Sequence, residues 1–190
     1  MRRHLALVAL FAIIACTTGR PSGAPIAPLT APTSEAAMQQ LRERRANFHG
    51  MKSLMRVRAT RNGQTQSFRA QLAVHDARRM ELVAYTPIGT IALKMKANGN
   101  AVTTDPPVPP DTFDFLRSAD VVPAEVAMLL LGLPPRDDLA QIEVVPSGLA
   151  SARAGDVSVT FDPPSFPAKH VVVTRGNDRI EIEHLEVVAE

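Results

Sequence analysis

The apolar positions of this chain change their spacing from one stretch to the next. Leu5 to Ala15 is a short, unbroken apolar run behind Arg2 and Arg3. Further on, Ala37, Met38, Leu41 and Phe48 recur near helical spacing. Thr33 or Ser34 can cap that helix, Glu35 lies in its first turn, and Gly50 is placed to end it. From Leu54 the period falls to two. Met55, Val57 and Ala59 alternate with Arg56 and Arg58, and Asn62-Gly63 marks a hairpin turn. Phe68, Ala70, Leu72 and Val74 form a second alternating set, and Asp76 to Arg78 a reversal. Met80, Leu82 and Ala84 continue the same face. Beyond Pro87-Ile88-Gly89, the residues Ile91, Leu93 and Met95 alternate with Ala92, Lys94 and Lys96, and Asn98-Gly99-Asn100 turns again. This pattern predicts an antiparallel meander with one apolar and one wet face, the Arg56/Arg58 and Lys94/Lys96 rungs on the wet side.

The middle of the chain breaks the alternation. Asp105 to Pro110 reads as a proline-rich loop and Asp111 to Leu116 as a short helical turn. Ala124 to Leu131 is strongly apolar; Pro123 suits a first helical turn and Gly132 the position past the last. Strands resume at Ile142 to Val145, Val157 to Phe161, Val171 to Thr174 and Ile180 to Val188. Asn177 supports a hairpin between the final two. The order helix, strands, apolar helix, strands predicts a mainly β fold with α: a curved antiparallel sheet folded around an inserted helix.

The N-terminal run is too short to span a bilayer as a helix, which needs about 20 apolar residues. With its basic start it reads as a secretory signal peptide over residues 1–15. It closes on Ala15-Cys16, and Cys16 is the only cysteine in the chain. That junction resembles the bacterial lipoprotein processing site, so Cys16 is the expected lipidation position and the chain's membrane anchor. Thr17 rather than Asp after the cysteine points, by resemblance to lipoprotein sorting, to the outer membrane. Residues 16–33, with Pro21, Pro25, Pro28 and Pro32 among small residues, read as a flexible tether, and 34–190 as one domain.

Charge adds little. Loss of residues 1–15 removes Arg2 and Arg3, taking Lys+Arg from 21 to 19, equal to Asp+Glu at 19. The formal charge thus falls from +2 to zero, which leaves no argument for a nucleic-acid partner. One Tyr and no Trp provide no stacking platform. The chain has no Gly-x-Ser-x-Gly elbow, Walker loop or Gly-x-Gly-x-x-Gly. His49, His75, His170 and His184 lack metal-ligand spacing, and Asp137-Asp138 offers too few oxygens for calcium. The expectation is a non-enzyme without metal or cofactor, and a monomer. His184, on an alternating strand, reads as a packed or rim residue.

Apolar shape remains. Phe68, Leu72, Leu82, Leu93, Met95, Val159, Ile180 and Ile182 are expected on the inner face of the sheet, with Val126, Leu129 and Leu130 of the apolar helix as a lid. On composition alone, a solid core completed by the two helices is the simpler outcome.

Three blocks, in order, carry a resemblance. They are Leu82-Val-Ala-Tyr-Thr-Pro-Ile-Gly-Thr-Ile-Ala-Leu-Lys-Met-Lys-Ala-Asn-Gly99, Val122-Pro-Ala-Glu-Val-Ala-Met-Leu-Leu-Leu-Gly-Leu-Pro134, and Phe166-Pro-Ala-Lys-His with Gly176-Asn-Asp-Arg-Ile-Glu-Ile. Together they resemble the outer-membrane lipoprotein receptor family LolB. The resemblance implies an incomplete antiparallel β-barrel with helices over its opening and an apolar cavity for acyl chains. It implies, as partners, a LolA-like periplasmic carrier and client lipoproteins, and a location on the periplasmic side of the outer membrane. It matches the family's membrane-delivery loop to Pro87, Ile88 and Gly89; burial of Ile88 at a strand crossover is the competing reading. The rival function is a structural or assembly lipoprotein whose half-barrel binds a protein partner, or another apolar ligand.

Overall fold

The computed structural model describes residues 21–108, 122–136 and 140–190. The signal peptide, Cys16, the turn at 111–116 and Asp137-Asp138 lie outside the described residues. A two-residue strand, β1 (Ala24–Pro25), precedes helix α1 (Ser34–Ala46). The first run of strands is β2 (Met51–Arg61), β3 (Gln64–Val74), β4 (Arg79–Tyr85), β5 (Ile91–Asn98) and β6 (Ala101–Asp105). Helix α2 (Pro123–Leu130) leads to β7 (Gln141–Val145), β8 (Gly148–Ala154), β9 (Val157–Phe161), β10 (His170–Arg175) and β11 (Asp178–Ala189).

All strand pairs are antiparallel, and the order across the sheet is β6-β5-β4-β3-β2-β11-β10-β9-β8-β7, with β1 on β11. Two meanders are thus joined where the first long strand pairs with the last, Val57 opposite Ile182. Among the described residues the edges β6 and β7 do not pair with each other, so the sheet is curved and unclosed: an incomplete antiparallel barrel with helices on its concave side.

Local chemistry explains most boundaries. Thr33 caps α1 by accepting a hydrogen bond from the Ala36 N–H at 3.2 Å. The helix stops at Ala46, before Gly50, because Asn47 takes the terminal role: its backbone N–H and its side-chain amide both donate to the Glu43 carbonyl. Asn62-Gly63 links Arg61 to Gln64 with φ of 50° and 76°, the two positive values that a type I′ hairpin turn requires. Pro123 opens α2 as its first residue, and Gly132 lies just past its C-cap Leu131.

The core lies between the concave face and the two helices. Val57, Ile182, Val171 and Phe161 form one continuous buried rung across β2, β11, β10 and β9. Helix α1 covers β7 and β8, and α2 covers β3, β4 and β5. Strands β6 and β8, which alternation did not reveal, complete the sheet. β8 is built largely of Gly, Ala, Ser and Arg, poor strand formers that are held by pairing on both sides.

The segment read as a flexible tether is shorter than expected. Ala24 and Pro25 pair with Ala189 and Val188 of β11. The Leu29 N–H donates to the Phe166 carbonyl at 3.1 Å, the Ala31 N–H to the Pro146 carbonyl at 3.2 Å, and the Leu29 side chain is 4% exposed in the core. Arg44 clamps the same stretch, donating to the Ala27 carbonyl at 2.7 Å while stacking over the Phe166 ring. Residues 24–33 are therefore a strap on the domain, because Leu29 provides the apolar burial that the prolines and small residues around it do not.

Candidate functional site

The concave face is the place to look for an apolar ligand, and its residues fall into two groups. Leu72, Val159 and Ile182 are buried core. Phe68, Leu82, Leu93 and Met95, on the β3–β5 half, are only half-buried and pack against that core. Ile180 was expected inside the same surface but is 40% exposed near the start of β11. The interior is thus filled at its centre and looser on the flank beneath α2.

Helix α2 closes that flank with a different face from the one expected. Ala124, Ala127, Met128 and the C-cap Leu131 point to the core at three- and four-residue spacing. Val126, Leu129 and Leu130 are half-buried, and of these Leu129 and Leu130 pack against the core. In a helix apolar on nearly every side, sequence does not decide which stripe faces in; here the small Ala124 and Ala127 permit close contact with the sheet.

Polar contacts hold both ends of this lid. At its start, Glu125 is buried and paired with Arg45 of α1 at 3.4 Å and with Arg136 at 3.2 Å. At its end, the Leu130 carbonyl meets His184 Nε2 at 3.0 Å, while His184 Nδ1 meets Ser53 Oγ at 2.7 Å. A carbonyl can only accept, so Nε2 carries the hydrogen and, in the neutral ring, the Ser53 hydroxyl donates to Nδ1. Burial pushes the His184 pKa down to about 4, opposed by the Leu130 hydrogen bond and assisted by the charge of His170. The pair therefore joins β2, β11 and α2 through a neutral imidazole. Ser53 is 1% exposed, so no substrate reaches its hydroxyl, and the second ring nitrogen is committed to Leu130. The alternation left His184 as a packed or a rim residue and could not supply its partner, 131 positions away.

Among the described residues, no group of three His, Cys, Asp or Glu side chains is arranged to hold a metal ion. The Arg56/Arg58 and Lys94/Lys96 rungs do lie on the wet face, where Arg56 pairs with Glu183, Arg58 with Glu181 and Lys96 with Glu81.

The β4–β5 connection is a projecting tip. The Gly89 N–H donates to the Thr86 carbonyl at 2.9 Å, the Thr86 N–H to the Thr90 carbonyl at 2.8 Å, and Gly89 has φ 87°. Pro87 and Ile88 occupy the apex, and Ile88 is 83% exposed, not buried at a crossover. Ile91 does not share the face of Leu93 and Met95. A register shift between Ala84 and Tyr85 sets Ile91 opposite Tyr85, whose hydroxyl donates to Gln71 on the convex side, and leaves Ile91 51% exposed.

A groove of about 550 Å³ lies elsewhere, where the end of α1 meets the strap, lined by Ile26, Arg44, Phe48, Met51 and Phe166 among others. A second, of about 420 Å³, runs along β4 to β6 by Met80, Glu81 and Lys96.

No family model matches the chain, and no curated protein matches it. Solved structures do. A LolA superfamily protein from Nitrosomonas europaea matches at TM-score 0.47 and 8% identity, over 84% of this chain and 94% of that one. A DUF1329 family protein from Desulfovibrio piger matches at 0.43 and 12%, over 85% and 94%. An outer membrane lipoprotein-sorting protein domain from Vibrio parahaemolyticus matches at 0.42 and 8%, over 83% and 93%.

Proposed function

We propose that this chain is a lipid-anchored receptor on the periplasmic side of the outer membrane. It takes acylated client proteins from a LolA-like carrier and delivers them to that membrane, without covalent chemistry. The observation that carries this reading is the half-buried apolar flank Phe68, Leu82, Leu93 and Met95, lying under an apolar helix. Acyl chains leaving water for such a surface gain about 0.8 kcal/mol per CH₂. Lifting α2 exposes the flank, and the Ile88 tip provides an apolar contact with the receiving membrane. The resemblance of the three sequence blocks and the expected anchor at Cys16 support the same reading.

One observation favours the rival. The centre of the concave face, at Leu72, Val159 and Ile182, is packed solid, as a half-barrel that binds a protein partner would have it. Mass spectrometry of material co-purified with residues 17–190 separates the two. An acylated peptide or lipoprotein acyl group bound to the wild type and lost in Leu93→Glu is the result expected of a receptor. A core free of lipid, together with normal lipoprotein sorting in depleted cells, overturns it.

A further inference from the structure

The convex side of the β3–β5 flank extends the Ile88 tip into a larger surface, most of which the receptor reading does not use. Ile88 and Ile91 are exposed at its tip. One rung runs Arg56, Arg69, Tyr85, Ile91, and the next runs Leu54, Gln71, Val83, Lys94 on the same face. Arg56 is neutralised by Glu183, but among the described residues neither the Arg69 nor the Lys94 side chain has a hydrogen bond or ion pair, and both are exposed. Among the described residues, the nearby carboxylates are Glu81, already paired with Lys96, and Asp105, opposite Lys94 on the edge strand. An apolar tip backed by two uncommitted cations fits the boundary of an anionic bilayer, where isoleucines enter the acyl region and cations meet phosphates.

We infer that the convex β3–β5 flank is a docking surface for an anionic phospholipid bilayer, with Ile88 and Ile91 entering it and Arg69 and Lys94 on its phosphates. This rests on the receptor reading for its biological direction but is separable from it. Residues 17–190 contain every residue of the described core and lack the anchor, so their flotation with vesicles reads the flank directly. The probes are vesicles of phosphatidylcholine alone and of phosphatidylcholine with phosphatidylglycerol in equal parts.

Binding to the anionic vesicles is expected to exceed binding to the neutral ones and to fall with added salt. Each basic residue near such a surface contributes roughly fivefold, so Arg69→Gln with Lys94→Gln lowers it about 25-fold. Ile88→Ser lowers binding to both vesicle types. The four side chains are exposed, so unfolding midpoints stay unchanged and a folding defect is recognised at once. Equal binding to both vesicle types, or no loss in the double variant, overturns the inference. If Ile88→Ser alone abolishes binding, the charge argument falls and the receptor reading stands. If vesicle binding behaves as expected while no acyl client is bound, the receptor reading falls and the docking surface stands.

Discussion

Lowering the pH should loosen the lid through His184. The ring is buried, its folded pKa is about 4, and its ordinary value is 6.5. Between those values the unfolded chain binds a proton that the folded chain refuses, so stability falls as pH drops from 6.5 toward 4. The difference of about 2.5 pKa units corresponds to about 3 kcal/mol. The carboxylates held low by hydrogen bonds and neighbouring cations, among them Asp76, Asp156 and Glu181, act in a separate window. Their contributions are present above their ordinary values, 3.8 to 4.5, and are lost only as pH falls below these. The interval from pH 6.5 to 4.5 therefore isolates the imidazole. Urea unfolding at closely spaced pH values provides the free energies, and His184→Gln provides the control. Glutamine keeps a donor for the Leu130 carbonyl but has no titration. It should lose about 1–3 kcal/mol at neutral pH, because the buried Ser53 hydroxyl loses its acceptor, and it should lose the pH slope as well. Protection of the α2 amides against hydrogen exchange, taken relative to the intrinsic rate at each pH, should fall in the wild type over the same interval, since the Leu130 carbonyl is bonded to the ring that titrates. A flat wild-type profile above pH 4.5, or an equal slope in His184→Gln, would refute the reasoning.

Other consequences follow from the packing. A Cβ on Gly148, at φ 153°, would lie 2.5 Å from the Ser165 carbonyl carbon. Gly148→Ala should therefore cost about 3 kcal/mol in thermal unfolding, against about 1 kcal/mol for Gly155→Ala, whose added methyl meets nothing. Leu29→Ala should cost about 2–3 kcal/mol and let limited proteolysis cut residues 21–33 well before the domain, because Leu29 is the buried anchor of the strap. Met128→Ala should cost about 3 kcal/mol by chemical denaturation, with the largest rise in exchange confined to α2, since Met128 is 2% exposed beneath it.

Elements with a strong local signal were legible. Asn62-Gly63 specifies its turn, Pro123 and Gly132 bracket α2, Thr33 caps α1, and the alternation of β2 to β5 sets most of the concave face. Strand β8 was hidden because its small residues carry no alternation and only pairing with β7 and β9 extends it. The tether was misjudged over 24–33 because a single residue, Leu29, outweighs a composition typical of linkers. Within the candidate site, the face of Leu72 and Leu82 was readable, but the identity of the lid's inner stripe was not.

Sequence by itself determined the antiparallel meander, the amphipathic sides of its strands and the apolar inserted helix, because these follow from periods of two and 3.6 residues within short windows. Tertiary structure alone decided phase and partnership. The register shift at Ala84/Tyr85 turned Ile91 outward, and the one between His184 and Glu186 left Leu185 40% exposed while Val187 faces in. A one-residue slip exchanges the two faces of a strand, and only the neighbouring strand fixes whether it occurs. In the same way His184 found Ser53 and Leu130 only when β2, β11 and α2 came together, because contacts between distant residues leave no periodic trace in the chain.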